Sequence, residues 1–290
     1  MRAVSRVAAA VLKPTPRVVK ELEMSMASAS FVGGTAFGVA YERAVESARD
    51  DALFVDPYAS LLAGKQGNEF STTFGHLDDP SKLWPRFHKD WTAVRTHFID
   101  RRLEAFEGRQ VVNLGAGFDT RPFRLDMPSD SVVWEVDRAE VNAVRHKFFE
   151  LLGAKPTCRV VSVDLDFALD DLALQDFDTS RPTCWVAEGL LPWLDPQIQI
   201  KLIRELTSLS TPGSVVVLNF LDDSDGTSVR ESGLDLHSFE TADVTNLLAT
   251  LGWTVIRAHH FGGAELHFGR FRDGYPECRL YSFVVATRDQ

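Results

Sequence analysis

Val111-Val112-Asn113-Leu114-Gly115-Ala116-Gly117-Phe118-Asp119-Thr120-Arg121 is an aliphatic run that breaks into a glycine-rich turn. The run reads as a buried strand, and glycines at 115 and 117 let the chain turn tightly and bring its backbone close to a ligand. A helix beginning after the turn would present free N–H groups to that ligand. A dinucleotide-binding fingerprint would place a third glycine where Thr120 stands. On its own the turn is weak, because a plain strand-to-helix turn also uses glycine freely. Its meaning comes from the strands around it.

From Gly108 onward, short runs rich in β-branched residues alternate with helical stretches. The expected strands are Gln110–Leu114, Ser131–Val136, Arg159–Val163, Thr183–Glu188, Ser214–Phe220, Trp253–His259 and Leu280–Ala286, which points to an α/β fold with a mostly parallel sheet. The clearest helix lies between the fourth and fifth strands. Asp195 suits its N-cap and Pro196 its first position; Ile198, Leu202, Ile203, Leu206 and Leu209 share a face, and Pro212-Gly213 ends it. Phe261 to Arg279 holds no obvious crossover helix, so the last strand is expected to be antiparallel.

Three further strand ends carry acids. Trp134-Glu135-Val136-Asp137 ends about 20 residues past the glycines, the spacing that sets a carboxylate beside the ribose of an adenine nucleoside. Asp137, last on the strand, is better placed than Glu135, although an acid there could equally cap the next helix. At Asp164-Leu165 a carboxylate can accept from an adenine amino group and the following N–H can donate to the ring. Glu188, at the end of Val186-Ala187-Glu188-Gly189-Leu190-Leu191, faces the crevice where open α/β sheets bind ligands. Burying it would cost several kcal/mol without a cationic partner. S-adenosylmethionine offers one in its sulfonium and amino groups, and the four strand ends together match that molecule better than any one alone.

The formal net charge of -10 argues against a dominant phosphate-binding surface, so no nucleic acid is expected. Cys158, Cys184 and Cys278 lie far apart with no CxxC pair, which suggests buried reduced thiols and no metal site. Residues 1–23 form a basic leader, with Arg2, Arg6, Lys13, Arg17 and Lys20 and no acid before Glu21; the composition is that of a disordered leader or a transit peptide. The compartment is then the cytoplasm, or an organelle if the leader is a targeting signal. No apolar stretch is long enough to span a membrane. Residues 24–108 read as a helical cover, with helices expected over Thr35–Asp50, from Asp56-Pro57 to Leu62, and over Ser81–Phe106, and a polar loop at Gly64–Pro80. Residues 109–290 form the sheet domain.

The sequence resembles the leucine carboxyl methyltransferase-like family. The stretches that carry the resemblance are Arg43-Ala44 with Glu46-Ser47, Leu53 to Ala59, Arg95-Thr96, Leu114 to Leu125, Glu135-Val136-Asp137, Asp164-Leu165 and Glu188 to Leu191. It implies a seven-stranded Rossmann-like sheet under a helical cover and S-adenosylmethionine as cofactor. It further implies that Arg95 holds the cofactor carboxylate, that Gly115, with Ala116 and Gly117, lines the methionine portion, and that Asp137 binds ribose. Asp164 and Leu165 would bind adenine, and Glu188 would sit near the methionine amine. The expected reaction is methyl transfer to an oxygen, a carboxylate or hydroxyl, of a small-molecule acceptor. A protein C-terminal carboxylate is the alternative acceptor. A nicotinamide-dependent oxidoreductase and a non-catalytic cofactor-binding protein are the readings from other classes. Pro192-Trp193 stands where the family often has Met-Tyr, on the acceptor side. His76, His237, His259, His260 and Tyr281 are candidate bases by type only.

Overall fold

The computed structural model describes residues 14–26, 31–64, 67, 83–164, 176–223, 236–263, 265–270 and 281–289; for 23–26, 31–34 and 83–87 only the backbone is described. Apart from Gly67, which is helical, the expected loop after Gly64 lies outside the described residues, as do Leu165, His76, Cys278 and the first thirteen residues. The helices are α1 (Pro16–Met26), α2 (Phe31–Ser47), α3 (Leu83–Ala105), α4 (Arg121–Arg124), α5 (Ala139–Leu152), α6 (Pro196–Ser208) and α7 (Thr241–Thr250). The strands are β1 (Gln110–Leu114), β2 (Val132–Asp137), β3 (Arg159–Asp164), β4 (Thr183–Ala187), β5 (Val215–Leu221), β6 (Trp253–His260) and β7 (Tyr281–Arg288).

The seven strands form one sheet in the order β3-β2-β1-β4-β5-β7-β6. Only β7 runs against its neighbours, pairing antiparallel with both β5 and β6. Chain order reverses between β1 and β4, which opens a crevice beyond their carboxyl ends. Alternation along the strands feeds two cores. Val112, Leu114, Trp134, Val136, Trp185 and Leu218 face α6 and α7 through Leu202, Ile203, Leu206, Val244 and Leu248. Val111, Val133, Val186, Val217 and Phe283 face α3 through Trp91, Val94, Phe98 and Ile99. At the start of α6, the Asp195 carboxylate accepts from the Gln197 N–H at 2.9 Å, as its N-cap position requires.

Two features depart from the sequence reading. The glycine turn is followed by only the four residues of α4, and the first long helix of this half comes after β2. Phe37, Tyr41, Ala44, Val45 and Ala48 recur at helical spacing along α2 and just past it, but of these only Phe37 is buried, together with Ala40, Glu42, Arg43 and Glu46, while Val45 and Ala48 are exposed. The buried face is polar because each charge on it has a partner, described below.

α1 runs through the end of the expected leader. Leu22, only 3% exposed, joins a third cluster with Phe37, Leu62, Phe118, Val144 and Phe148, so this helix docks onto α5. Buried leucines truncated to alanine cost about 2–5 kcal/mol, with edge positions at the low end. Leu22→Ala should therefore lower stability by about 2 kcal/mol in urea unfolding. An unchanged midpoint would mean that α1 is not docked in solution.

Candidate active site

Strand register sets the site. Leu114 pairs with Val136 on one side and Ala187 on the other, Asp137 with Asp164, and Ala187 with Leu218. One residue further along, Asp164, Asp137, Gly115, Glu188 and Asn219 lie in a row across the carboxyl ends of β3, β2, β1, β4 and β5. The residues expected to hold the cofactor thus come from separate parts of the chain to one edge of the sheet.

Gly115 and Gly117 have φ of +68° and +52°, a left-handed conformation that side chains disfavour. The N–H groups of Gly115 and Ala116 both donate to the Val136 carbonyl, at 2.9 and 3.1 Å, folding the turn over the end of β2. The Asp137 carboxylate accepts from the N–H of Gly117 at 2.6 Å and of Arg138 at 2.8 Å. The N–H of Arg121, which opens α4, donates to Asp119 Oδ1 at 2.6 Å. That N–H is thus taken by the turn's own acid rather than held open for a ligand. Asp164 is exposed and accepts from the Asn142 amide at 2.7 Å.

Arg95 and Glu188, expected at opposite ends of an amino-acid moiety, touch each other: Arg95 Nε donates to Glu188 Oε1 at 3.0 Å. The Gly189 N–H is fixed by Asn219 Oδ1 at 2.9 Å, and a Cβ on Gly189 would lie 3.3 Å from Arg95 Nη1, so glycine leaves the guanidinium its room. This pair is one edge of a larger buried set. Arg121 donates to Glu188 Oε2 at 2.7 Å, Asp119 Oδ2 at 2.6 Å and Asp100 Oδ1 at 2.7 Å. Arg124 grips Asp100 with two bonds at 2.7 and 2.9 Å. Asp56 accepts from Thr120 at 2.7 Å and faces Arg43 at 3.5 Å. Four guanidiniums thus meet four carboxylates with side chains at most a tenth exposed.

Electrostatics follow from these contacts. Burial alone would raise Asp119, but Arg121, Arg43 and the Arg121 N–H outweigh it and bring the carboxyl from 3.8 to about 2. Burial likewise opposes ionisation of Glu188, and Arg121 and Arg95 still hold it below the usual carboxylate range. Glu135 goes the other way. It is 1% exposed and faces α5 rather than the crevice. Burial pushes it from 4.5 to about 7 against the pull of Arg145, with Asp119 and Asp137 adding to the rise. Burial also pushes the Cys184 thiol to about 12, which makes it a poor nucleophile.

Several of these groups were not singled out as site residues in the sequence: Asp100, Asp119, Arg121, Arg124, Arg145, Asn142, and the pair Glu42–His88. Glu42, held ionised against burial by His88 and Thr92, accepts from Thr92 Oγ1 at 2.5 Å and lies 2.8 Å from His88 Nδ1. Nδ1 is therefore the donor of that contact. The only sequence signal for Arg121 and Arg124 is their place inside the Leu114–Leu125 stretch; Arg145 has none. His259 packs against Phe98 and His260 bonds Ser282; they end β6, with His259 level with Asn219 and two strands beyond it. Among the described residues no group of acids, histidines and cysteines could hold a metal, and no helix is long and apolar enough to cross a membrane.

Residues 36–207 match the family model of leucine carboxyl methyltransferase. A Mycolicibacterium gilvum protein named as an S-adenosyl-L-methionine-dependent methyltransferase is 38% identical over 281 residues, 86% of this chain and 89% of its own. One of the same name from Mycobacterium tuberculosis H37Ra is 36% identical over 254 residues, covering 77% and 80%. Among solved structures, a duf574 family protein from Streptomyces avermitilis superimposes with a TM-score of 0.60 at 15% identity, over 88% of this chain and 97% of that one. Magnesium protoporphyrin IX methyltransferase from Synechocystis, solved with bound S-adenosylhomocysteine, gives 0.50 at 16% identity, over 77% and 93%; at such identities the likeness is one of fold. The class so defined is an S-adenosylmethionine-dependent methyltransferase. Within it, the chain belongs to the leucine carboxyl methyltransferase family.

Two measurements test this electrostatic arrangement. Glu135 binds its proton more tightly folded than unfolded, so its contribution to stability is present below pH 4.5 and is lost as pH rises through about 7. Asp119 contributes stability above pH 3.8 that is lost as pH falls through about 2. In urea unfolding between pH 4.5 and about 7, Glu135→Gln should flatten the decline seen in the wild type; a parallel decline in both would place the titration elsewhere. Arg121→Met would strand buried carboxylates and should cost at least about 3 kcal/mol. A loss below about 1 kcal/mol would show that the set is solvated in solution.

Proposed function

We propose that this enzyme transfers the methyl group of S-adenosylmethionine to an oxygen, carboxylate or hydroxyl, of a small-molecule acceptor. The observation that carries the reading is the strand-end row with the Arg95–Glu188 pair at its centre. The donor set fits the cofactor. An amino-acid end presents one carboxylate and one ammonium, and Arg95 and Glu188 offer the opposite signs 3.0 Å apart. Arg95 would hold the carboxylate and Glu188 the ammonium, with Gly115, Ala116 and Gly117 lining the methionine portion. Asp137 would accept from ribose hydroxyls, and Asp164 with Leu165 would hold adenine. The two described cysteines are free and buried, in keeping with a reducing cytoplasm.

When bound, the cofactor supplies an electrophilic methyl on a positively charged sulfur. The protein's part is orientation. The buried charge set fixes Arg95 and Glu188, and the α3 and α2 cover bounds the crevice, so that acceptor and methyl can be held in line; such positioning can supply several kcal/mol. A carboxylate acceptor is ionised at pH 7 and needs no base, whereas a hydroxyl acceptor does. Family membership and the names of the relatives support a methyltransferase without a redox step; the nicotinamide reading is dropped.

Calorimetric titration with S-adenosylhomocysteine should give saturable one-to-one binding. Asp137→Ala should weaken it at least about tenfold, roughly the worth of one charge-assisted hydrogen bond, and Glu188→Gln should weaken it with the fold intact. Wild-type affinity in either variant would remove that residue from the site. Incubation of a metabolite extract with methyl-deuterated cofactor, followed by mass spectrometry, should reveal labelled small-molecule esters or ethers. Label found only on protein C-termini would overturn the small-molecule assignment.

A further inference from the structure

α5 carries two side chains that the site described so far does not use. Arg145 is wholly buried at 0% exposure. Its Nη1 donates to the Gly117 carbonyl at 2.6 Å and its Nη2 to Asn142 Oδ1 at 2.6 Å, while Nε faces the Glu135 carboxylate at 3.0 Å. The Asn142 amide in turn reaches the Asp137 carbonyl at 3.2 Å, the Val163 carbonyl at 3.1 Å and Asp164 Oδ1 at 2.7 Å. A guanidinium sealed from water is costly unless fully paired, and an aliphatic residue would serve helix–sheet packing at lower cost. Here the contacts of the pair go to segments of the strand-end row, to each other, and, through Arg145 Nε, to the Glu135 carboxyl group.

Gly117 is held from both sides, its N–H by the Asp137 carboxylate and its carbonyl by Arg145, in the left-handed conformation that shapes the turn. Residues 142 and 145 are three apart and share a helix face. One rigid helix therefore fixes the glycine turn, the end of β2 and the end of β3 relative to one another. Arg95 and Glu188 hang on a different support, Arg121 with Asp100 and Asp119.

We propose that Arg145 and Asn142 are positioning residues for the nucleoside half of the cofactor, holding Gly117, Asp137 and Asp164 in register without touching the ligand. The inference rests on the assignment of Asp137 and Asp164 to ribose and adenine. It separates two supports within one site: α5 sets the nucleoside end, and the buried charge set holds the amino-acid end.

The test is calorimetric titration of the full chain with S-adenosylhomocysteine and with methylthioadenosine, which lacks the amino-acid end. The variants are Arg145→Met, Arg145→Lys, Asn142→Ala and Asp137→Ala, each with a thermal melt. Arg145→Met and Asn142→Ala should lose about tenfold or more in affinity, by the same factor for both ligands, as expected for lost charge-assisted bonds. Arg145→Lys should recover most of it, since an ammonium can still donate to the Gly117 carbonyl. A purely structural Arg145 would lower the melting temperature and leave affinity unchanged well below it. Wild-type affinity in folded Arg145→Met and Asn142→Ala, or a loss confined to S-adenosylhomocysteine, overturns the inference. If Arg145→Met does not fold, Asn142→Ala, which removes no charge, decides. If Asp137→Ala weakens binding while the other two do not, this inference alone fails; if Asp137→Ala also binds normally, the nucleoside assignment fails with it.

Discussion

The fold depends on a buried exchange of charge in which Arg43, Arg95, Arg121 and Arg124 face Asp56, Asp100, Asp119 and Glu188. Moving any one of these ions out of water costs several kcal/mol, and only close pairing offsets that cost. The set is formally neutral, and its members come from α2, the loop after it, α3, the glycine turn, α4 and the end of β4. No element can leave without stranding a charge on another. The helical cover is therefore part of the same folding unit as the sheet, although it lies outside the sheet in sequence. A second bond of this kind joins a distant segment: Arg270 chelates Glu46 on α2 at 2.7 and 2.9 Å and reaches the Asp51 carboxylate at 3.0 Å.

On the proposed assignment this set also reaches function, because two of its members, Arg95 and Glu188, would hold the amino-acid end of the cofactor. Arg95 and Glu188 hold each other at 3.0 Å across the crevice mouth. A zwitterion entering there would meet both signs already oriented, so little reorganisation would accompany binding. The preorganisation is a by-product of folding: the energy that fixes Arg121 against three carboxylates also fixes Glu188.

The architecture was legible in the sequence because its signals are local. Seven β-branched runs, the Asp195-Pro196 helix start and the missing crossover before the last strand needed no tertiary knowledge. The strand ends named in advance do come together, since a parallel sheet brings successive carboxyl ends to one edge. Pairing was not legible. The apolar stripe expected on α2 failed because the helix buries Glu42, Arg43 and Glu46, and a charged residue looks like solvent-facing surface until its partner tens of residues away is known. Likewise Asp119 and Arg121 read as parts of a turn, and nothing in the sequence marks Arg145. Their role comes from contacts 2 to 67 residues apart in sequence, which periodicity does not register.

Those same pairings bear on the acceptor. Glu188 is bound to two guanidiniums and kept ionised, which makes it a weak base. Glu135, the acid that keeps its proton nearest neutrality, is sealed behind β2 at 1% exposure and faces Arg145. Asp137 spends both carboxylate oxygens on backbone N–H groups. The strand-end row thus binds and orients but has no group suited to taking a proton from an alcohol. The only histidine with an ionised carboxylate within 3 Å among the described residues, His88 on Glu42, sits two helical turns from Arg95 on α3. A hydroxyl acceptor would need a base from outside these acids, whereas a carboxylate could react beside the row itself. On the proposed assignment, these acids alone would suffice for an acceptor that arrives already ionised.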